Sequence, residues 1–228
     1  MKRVLVIDIG GSHVKMMISR HERVKFESGP DMTPRQFAAR VKPNIGDWDF
    51  DAVTIGFPAP VRDGKILVDP KHLGGGWTRF DFRKALGRPS RVINDAALQA
   101  LGSYRGGRML FVGLGTGVGS ALVWENHVLS LELSDLPYEH RKSLEARFGE
   151  AGMKKLGTRD WAEEFSYVIV ELKRAMIADY VVLGGGNAKL VRPLPDGIEL
   201  GHNRNVYLGG VRLWQTAGAT RRAKWTIV

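Results

Sequence analysis

Four short segments of this chain carry residue types able to grip a phosphate and activate an alcohol. The first is Asp8-Ile9-Gly10-Gly11-Ser12-His13-Val14-Lys15. Its two glycines let the backbone approach an anion closely, and exposed N–H groups together with Ser12 can donate to phosphate oxygens. Asp8, at a strand end, is suited to hold a metal ion through water, and Lys15 adds positive charge. This is not a Walker A loop, because Lys15 stands where the second glycine of G-x-x-x-x-G-K-[ST] belongs. An ordinary hairpin turn is the alternative reading. The second segment, Gly113-Leu114-Gly115-Thr116-Gly117-Val118-Gly119-Ser120, places Val118 and Ser120 where G-x-G-x-x-G would require glycine. It reads as a phosphate-cradling hairpin or a plain tight turn. The third, Gly184-Gly185-Gly186-Asn187, follows an apolar strand, and a helix starting there would favour an anion at its N-terminus. The fourth is Asn94-Asp95. Asp95 can take a proton from an alcohol and Asn94 can serve sugar hydroxyls; read as an isolated dipeptide, an Asp here suits a helix cap better than catalysis, and the two roles can coexist.

These segments need elements to position them. Residues 3–9 form an apolar run ending in an acid, which predicts a buried strand, and 14–19 predict a second strand pairing with it as a hairpin. Residues 33–42 predict a short helix with Thr33 as N-cap and Pro34 at its first position. Residues 51–57 predict a strand stopped by Pro58-Ala59-Pro60, 80–86 a short helix, and 91–93 a strand delivering Asn94-Asp95 to an Ala-rich helix over 96–104. The second half restarts with strands at 109–114 and 120–124, helices over 143–156 and 158–177, and a strand at 179–183. Sheet and helices in each half predict two α/β lobes meeting near Gly106-Gly107.

Composition narrows the class. The chain has 228 residues, 43% hydrophobic and 25% charged, which excludes wholesale disorder. No stretch approaches the roughly 18 apolar residues of a spanning helix, and the N-terminal run breaks at Asp8 without a signal-peptide core, so no membrane role is expected. Cysteine is absent, which excludes disulfides, thiolate metal sites and a Cys nucleophile. A cytoplasmic protein is the simplest expectation. No repeat of 20–50 residues is visible. The net charge of +10 suits a polyanionic partner, or plain solubility.

The order of the motifs is more specific than any one of them. An acid-GG-S-x-x-K hairpin, a GFPAP loop, N-D before a helix, GLGTGVGSALV, ELSDLPY, DYVVLGGGNAKL and a late YLGGVRLW follow one another. Over roughly residues 3–214 this order resembles the sugar kinases of the hexokinase–actin–heat-shock ATPase superfamily. It resembles most of all their repressor–open reading frame–kinase (ROK) group and, within it, the polyphosphate glucokinases. The resemblance implies an α/β fold of two ribonuclease-H-like lobes around a cleft, with residues 1–106 and 107–228 as the lobes and a tail able to pack back on the first. It implies transfer of a phosphoryl group from polyphosphate, ATP or both to the 6-hydroxyl of glucose or a related hexose. Asp95 would be the general base. Asn94, Asp95, Glu132, Asp135 and Glu145 would face the sugar. Asp8, Gly10, Gly11, Ser12, Lys15, Gly115, Thr116, Gly117, Gly185, Gly186 and Asn187 would face the donor, with Asp8 near Mg2+. A homodimer without zinc is also implied.

The chain departs from the group where Glu132-Leu133-Ser134-Asp135 replaces Glu-x-Gly-His. An ionised Asp135 accepts hydrogen bonds but donates none, so hydroxyl recognition there must differ. That departure is the argument for the alternative, a non-catalytic sugar- or polyphosphate-binding relative. A repressor of the group would carry a DNA-binding domain ahead of the first strand, which here is expected from residue 3. No nucleic-acid-binding pattern is visible, so no specific nucleic-acid partner is expected. Lys189, Arg192, Arg204, Arg212, Arg221, Arg222 and Lys224 could line a route for a polyphosphate chain.

Overall fold

The computed structural model describes residues 3–202, 204–217 and 222–228. The N-terminal apolar run forms β1 (Val4–Ile9), buried along its whole length. It lies inside a sheet, and a strand covered on both faces reads as a continuous apolar run rather than an alternation. β2 (His13–Met17) returns antiparallel to it, and β3 (Arg23–Glu27) completes a meander. After α1 (Pro34–Ile45), β4 (Ala52–Phe57) joins β1 in parallel. A small hairpin of β5 (Val61–Arg62) and β6 (Lys65–Ile66) and then α2 (Phe82–Leu86) lead to β7 (Ser90–Asn94), parallel to β4. The sheet order is β3-β2-β1-β4-β7.

The second sheet repeats this plan. β8 (Arg108–Leu114), β9 (Val118–Trp124) and β10 (His127–Leu131) form an antiparallel meander, and β11 (Tyr180–Gly184) and β12 (Ile198–Leu200) extend it in parallel from β8. β13 (Thr216–Ala217) and β14 (Arg222–Ala223) pair apart from it, and β15 (Thr226–Ile227) closes the β10 edge. Two meanders, each extended by two parallel strands, make the doubled α/β plan that the motif order implied.

The helix following the last parallel strand of each plan binds the two sheets together. These are α3 (Asp95–Ser103) and α7 (Asn205–Arg212). A Cβ on Gly102 would overlap the Asn205 carbonyl oxygen, and one on Gly209 that of Leu98, so glycine is what allows the two helices to cross so closely. Val4 and Val6 of β1, Ala96, Ala97 and Ala100 of α3, Phe111 of β8 and Val206 of α7 share one core. The small side chains of α3 fit this squeeze between sheets. α7 also locks onto the first sheet: the Thr54 hydroxyl donates to the Gly210 carbonyl at 2.9 Å, and the Tyr207 hydroxyl to that of Ile18 at 2.9 Å.

Several elements differ from the sequence expectation. Thr33 does cap α1, in a reciprocal pair with Gln36, but the helix runs through Pro43 to Ile45. The helix expected over 80–86 is a 3₁₀ turn at Trp77–Arg79 followed by α2, which Asp81 caps. The helix expected over 143–156 is broken at Gly149 into α4 (Leu144–Phe148) and α5 (Glu150–Leu156). Gly149 has extended backbone, φ −69° and ψ 173°, and its N–H closes α4 on the Glu145 carbonyl at 2.8 Å. The next helix, α6 (Thr158–Ala175), ends two residues before the expected boundary. β3, β10, β12 and α7 were not expected. No described helix is long and apolar enough to cross a membrane.

Candidate active site

Three neighbouring parallel strands of the first sheet deliver its chemistry. Pairing sets Asp8 of β1 beside Gly56 of β4, and Phe57 beside Asn94 of β7. A Cβ placed on Gly56 would lie 3.4 Å from Asp8 Oδ1 and 3.6 Å from the Asp95 Cα, so the two acids flank one glycine. Burial pushes the Asp8 carboxyl up, while Lys15, its cross-strand partner with Nζ 3.6 Å from Oδ2, pulls it down. Asp95 is raised to about 7, first by desolvation and then by the Asp8 charge, with Glu132 adding to both. The Ala96 N–H, donating to Asp95 Oδ1 at 2.8 Å, works the other way. Asp95 nonetheless keeps part of its surface open to solvent.

The helix cap is Asn94, not Asp95. Its Oδ1 accepts from the Ala97 N–H at 3.1 Å, and its Nδ2 donates to the Ala59 carbonyl of the GFPAP loop at 3.3 Å. Asp95 is the first helical residue, and apart from the Ala96 N–H at Oδ1 its carboxylate is not committed to closing α3. Asn94 retains one N–H and one lone pair for a ligand.

The glycine segments are held from behind. Ser28 donates its hydroxyl to the Gly10 carbonyl at 2.7 Å and its N–H to that of Ser12 at 3.1 Å, and the Gly10 N–H closes the turn on His13 at 2.9 Å. In the second hairpin the Gly115 N–H meets the Gly117 carbonyl at 3.0 Å. The third segment stacks on it: Asn187 N–H donates to the Leu114 carbonyl at 3.0 Å and its Nδ2 to that of Gly115 at 3.4 Å. Among the described residues no backbone partner takes the N–H groups of Gly11, Ser12, Thr116, Gly117 or Gly186. The expected helix after Gly184-Gly185-Gly186-Asn187 is only a 3₁₀ turn, Ala188–Leu190, so no helix N-terminus reinforces that segment.

The carboxylates expected on the sugar side do converge. Glu145 Oε2 lies 2.6 Å from where a Cβ on Gly117 would stand, which puts it against the second hairpin. Desolvation and the Asp135 charge raise Glu132, with Glu145 adding to them and Lys71 opposing. Lys71 Nζ is 3.3 Å from Asp135 Oδ1 and 3.7 Å from Glu145 Oε1. Desolvation works against the Lys71 charge, but Glu145, Asp135 and Glu132 outweigh it and raise its pKa.

No group of three or more metal-ligating side chains occurs among the described residues. Among the described residues Asp8 offers a buried carboxylate, beside Gly56 and across it from Asp95. Mg2+ commonly takes one or two protein carboxylates and completes its shell with water and substrate phosphates, so this donor set fits it.

No family model matches the chain. Its sequence is 24% identical over 201 residues to the polyphosphate glucokinase of Mycobacterium leprae (strain TN), covering 79% of this chain and 62% of that relative's length. The inorganic polyphosphate/ATP-glucomannokinase of Arthrobacter sp. strain KM superposes with a TM-score of 0.75 at 22% identity, over 90% of this chain and 95% of that one. A ROK family glucokinase from Streptomyces griseus, solved with glucose and AMPPNP, gives a TM-score of 0.69 at 14% identity, over 91% and 98% of the two chains. The fold is that of the ROK sugar kinases.

Within this ROK fold, sequence reasoning missed Lys71. Nothing in Lys71-His72-Leu73-Gly74-Gly75-Gly76 signals chemistry, and its ion-pair partner Asp135 is 64 residues away. It also misjudged one of the basic residues. Arg212 is not free to meet a polyanion, because its guanidinium donates to the Leu101, Gly102 and Tyr104 carbonyls at the end of α3. Lys224 lies over the Trp225 ring. Lys189, Arg192 and Arg204 are exposed. Arg221 and the Arg222 side chain lie outside the described residues.

Proposed function

We propose that this chain is a hexokinase-type sugar kinase, moving a phosphoryl group from polyphosphate or ATP to the 6-hydroxyl of glucose or a related hexose. The observation that carries this reading is the carboxylate of Asp95, across Gly56 from Asp8 and raised to about 7 by burial and by the charges of Asp8 and Glu132. A base with this pKa is substantially ionised at neutral pH yet strong enough to accept an alcohol proton. As the sugar oxygen attacks the terminal phosphorus, Asp95 takes the hydroxyl proton and the bond to the leaving phosphate breaks.

The rest of the site serves that step by positioning and charge stabilisation, the main needs of phosphoryl transfer. Glu132, Asp135 and Glu145 accept hydrogen bonds from sugar hydroxyls, with Asn94 at the edge of the base. The unpartnered N–H groups of Gly11, Ser12, Thr116, Gly117 and Gly186 donate to the donor's phosphate oxygens, alongside Gly10, Gly115, Gly185 and Asn187. Lys15 tempers the charge of Asp8. Asp8 would hold Mg2+, which when bound supplies neutralisation of the donor's phosphate charge. The net charge of +10 and the similarity to a polyphosphate glucokinase from Mycobacterium leprae and a polyphosphate/ATP-glucomannokinase from Arthrobacter support polyphosphate as a donor.

The test is a coupled assay crossing glucose, mannose and other hexoses with ATP and polyphosphate. Turnover with at least one pair, abolished by chelating Mg2+, is expected. With polyphosphate the KM should rise with ionic strength, because contacts with a polyanion weaken as salt screens them. Calorimetric sugar binding without turnover on either donor would replace the kinase reading with that of a binding protein.

A further inference from the structure

We infer that Lys71 is a positioning residue that latches the sugar side of the cleft shut and fixes Asp135 and Glu145 for hydroxyl recognition. The inference rests on the sugar-kinase reading above. Lys71 belongs to a segment that leaves the first sheet after β6, whereas Asp135 and Glu145 follow the meander of the second. Its ammonium therefore joins the two halves, 3.3 Å from Asp135 Oδ1 and 3.7 Å from Glu145 Oε1.

The segment carrying Lys71 is held at its base. Asp69 accepts the Gly76 N–H at 3.0 Å and the Trp77 N–H at 2.7 Å, and these backbone donors keep its carboxyl below the usual range. Trp77 is fully buried among Phe37, Phe57 and Phe82. The neighbouring His72 lies over the first glycine turn, its Cβ 3.0 Å from where a Cβ on Gly11 would be. Consecutive residues of one anchored segment thus touch the acceptor side and the donor side.

Both ends of the Lys71–Asp135 pair are exposed, with side chains 64% and 61% accessible. Exposed pairs contribute little to stability. A pair this weak is a poor staple and a good latch, because it opens readily for sugar to enter. It also answers the chemistry of Asp135, since the lysine supplies the donors that an ionised carboxylate lacks.

The test compares glucose binding by calorimetry and steady-state kinetics for the wild type, Lys71→Met, Lys71→Arg, and the charge swap Lys71→Asp with Asp135→Lys. Lys71→Met should weaken glucose binding severalfold and raise its KM by more than it lowers kcat, leaving the donor KM within twofold. Lys71→Arg and the swap should each recover most of the loss, which a purely structural role would not produce. Unchanged glucose affinity in Lys71→Met, or a swap that binds glucose no better than Lys71→Met, would overturn the latch. Because calorimetry reads glucose binding directly, the latch is decided even if the wild type binds glucose without turnover, the result that refutes the kinase reading.

Discussion

The two glycine-rich hairpins hold the same place in two copies of one strand plan, but they are built differently. In the β1–β2 hairpin, one step in from the Ile9–Val14 pair, Asp8 faces Lys15. In the β8–β9 hairpin, one step in from Leu114–Val118, Gly113 faces Gly119. The ends of the last parallel strands differ in the same sense. β7 runs into Asn94-Asp95, while β12 runs into Gly201-His202. Where the first copy places charge, the second places glycine. The reason is spatial: a Cβ on Gly119 would stand 2.9 Å from that of Ala96, so α3 can lie against the second sheet only if that position is bare. In the proposed reaction, one copy positions the reacting groups and the other makes room for the helix carrying Asp95. The second copy contributes its own acids, Glu132 and Glu145, after its meander rather than within it.

If this division of labour is right, substitutions in the first copy should hurt most. Asp95→Asn should fold normally and lose about 10²–10⁴-fold in kcat, measured in the coupled hexose assay. Asp8→Asn should weaken the response to Mg2+ by about 10–100-fold, read from magnesium titrations of the rate. In the second copy, Gly117→Ala would crowd Glu145 Oε2 from 2.6 Å. It should raise the hexose KM on the order of tenfold, less than the hundredfold that a full ångström of misplacement can cost. Equal losses from Gly117→Ala and Asp95→Asn would erase the distinction between the halves.

The smallest expected effect concerns stability. The Asp95 carboxyl titrates at about 7 in the fold, against about 4 for an ordinary Asp. Its ionisation in the folded state is therefore unfavourable. Stability from this group is complete below about pH 4 and lost as pH rises through 7. Asp95→Asn should accordingly stabilise the protein by about 1–2 kcal/mol at pH 8, a figure reduced because the group is partly exposed, and leave it unchanged at pH 4. Thermal melts at the two pH values check this.

Local motifs made much of the first copy readable from sequence. Asp8 ends an apolar run, and Asn94-Asp95 sits between a strand and a helix, so neighbours in the chain announce their positions. Which of Asn94 and Asp95 caps α3 was not readable, because that depends on the direction of the chain at Ala97. β3 could have been found from the alternation of Val24 and Phe26 between polar residues. α7 was hidden because Gly209-Gly210 looks like a breaker until α3 is seen to cross it. Lys71 was invisible because its meaning lies wholly in residues brought from the other sheet. Arg212 looked like surface charge because the chain does not show that the α3 carbonyls need a donor.

The most direct test of the account is the pH dependence of kcat/KM for hexose in the wild type and in Asp8→Asn. The wild type should show an acid limb with an apparent pKa near 7, the value to which its surroundings raise Asp95. Asp8→Asn should move that limb to lower pH, because the Asp8 charge helps hold the Asp95 carboxyl up. A limb near pH 4 in the wild type, or one that stays in place when Asp8 is neutralised, would contradict Asp95 as the base.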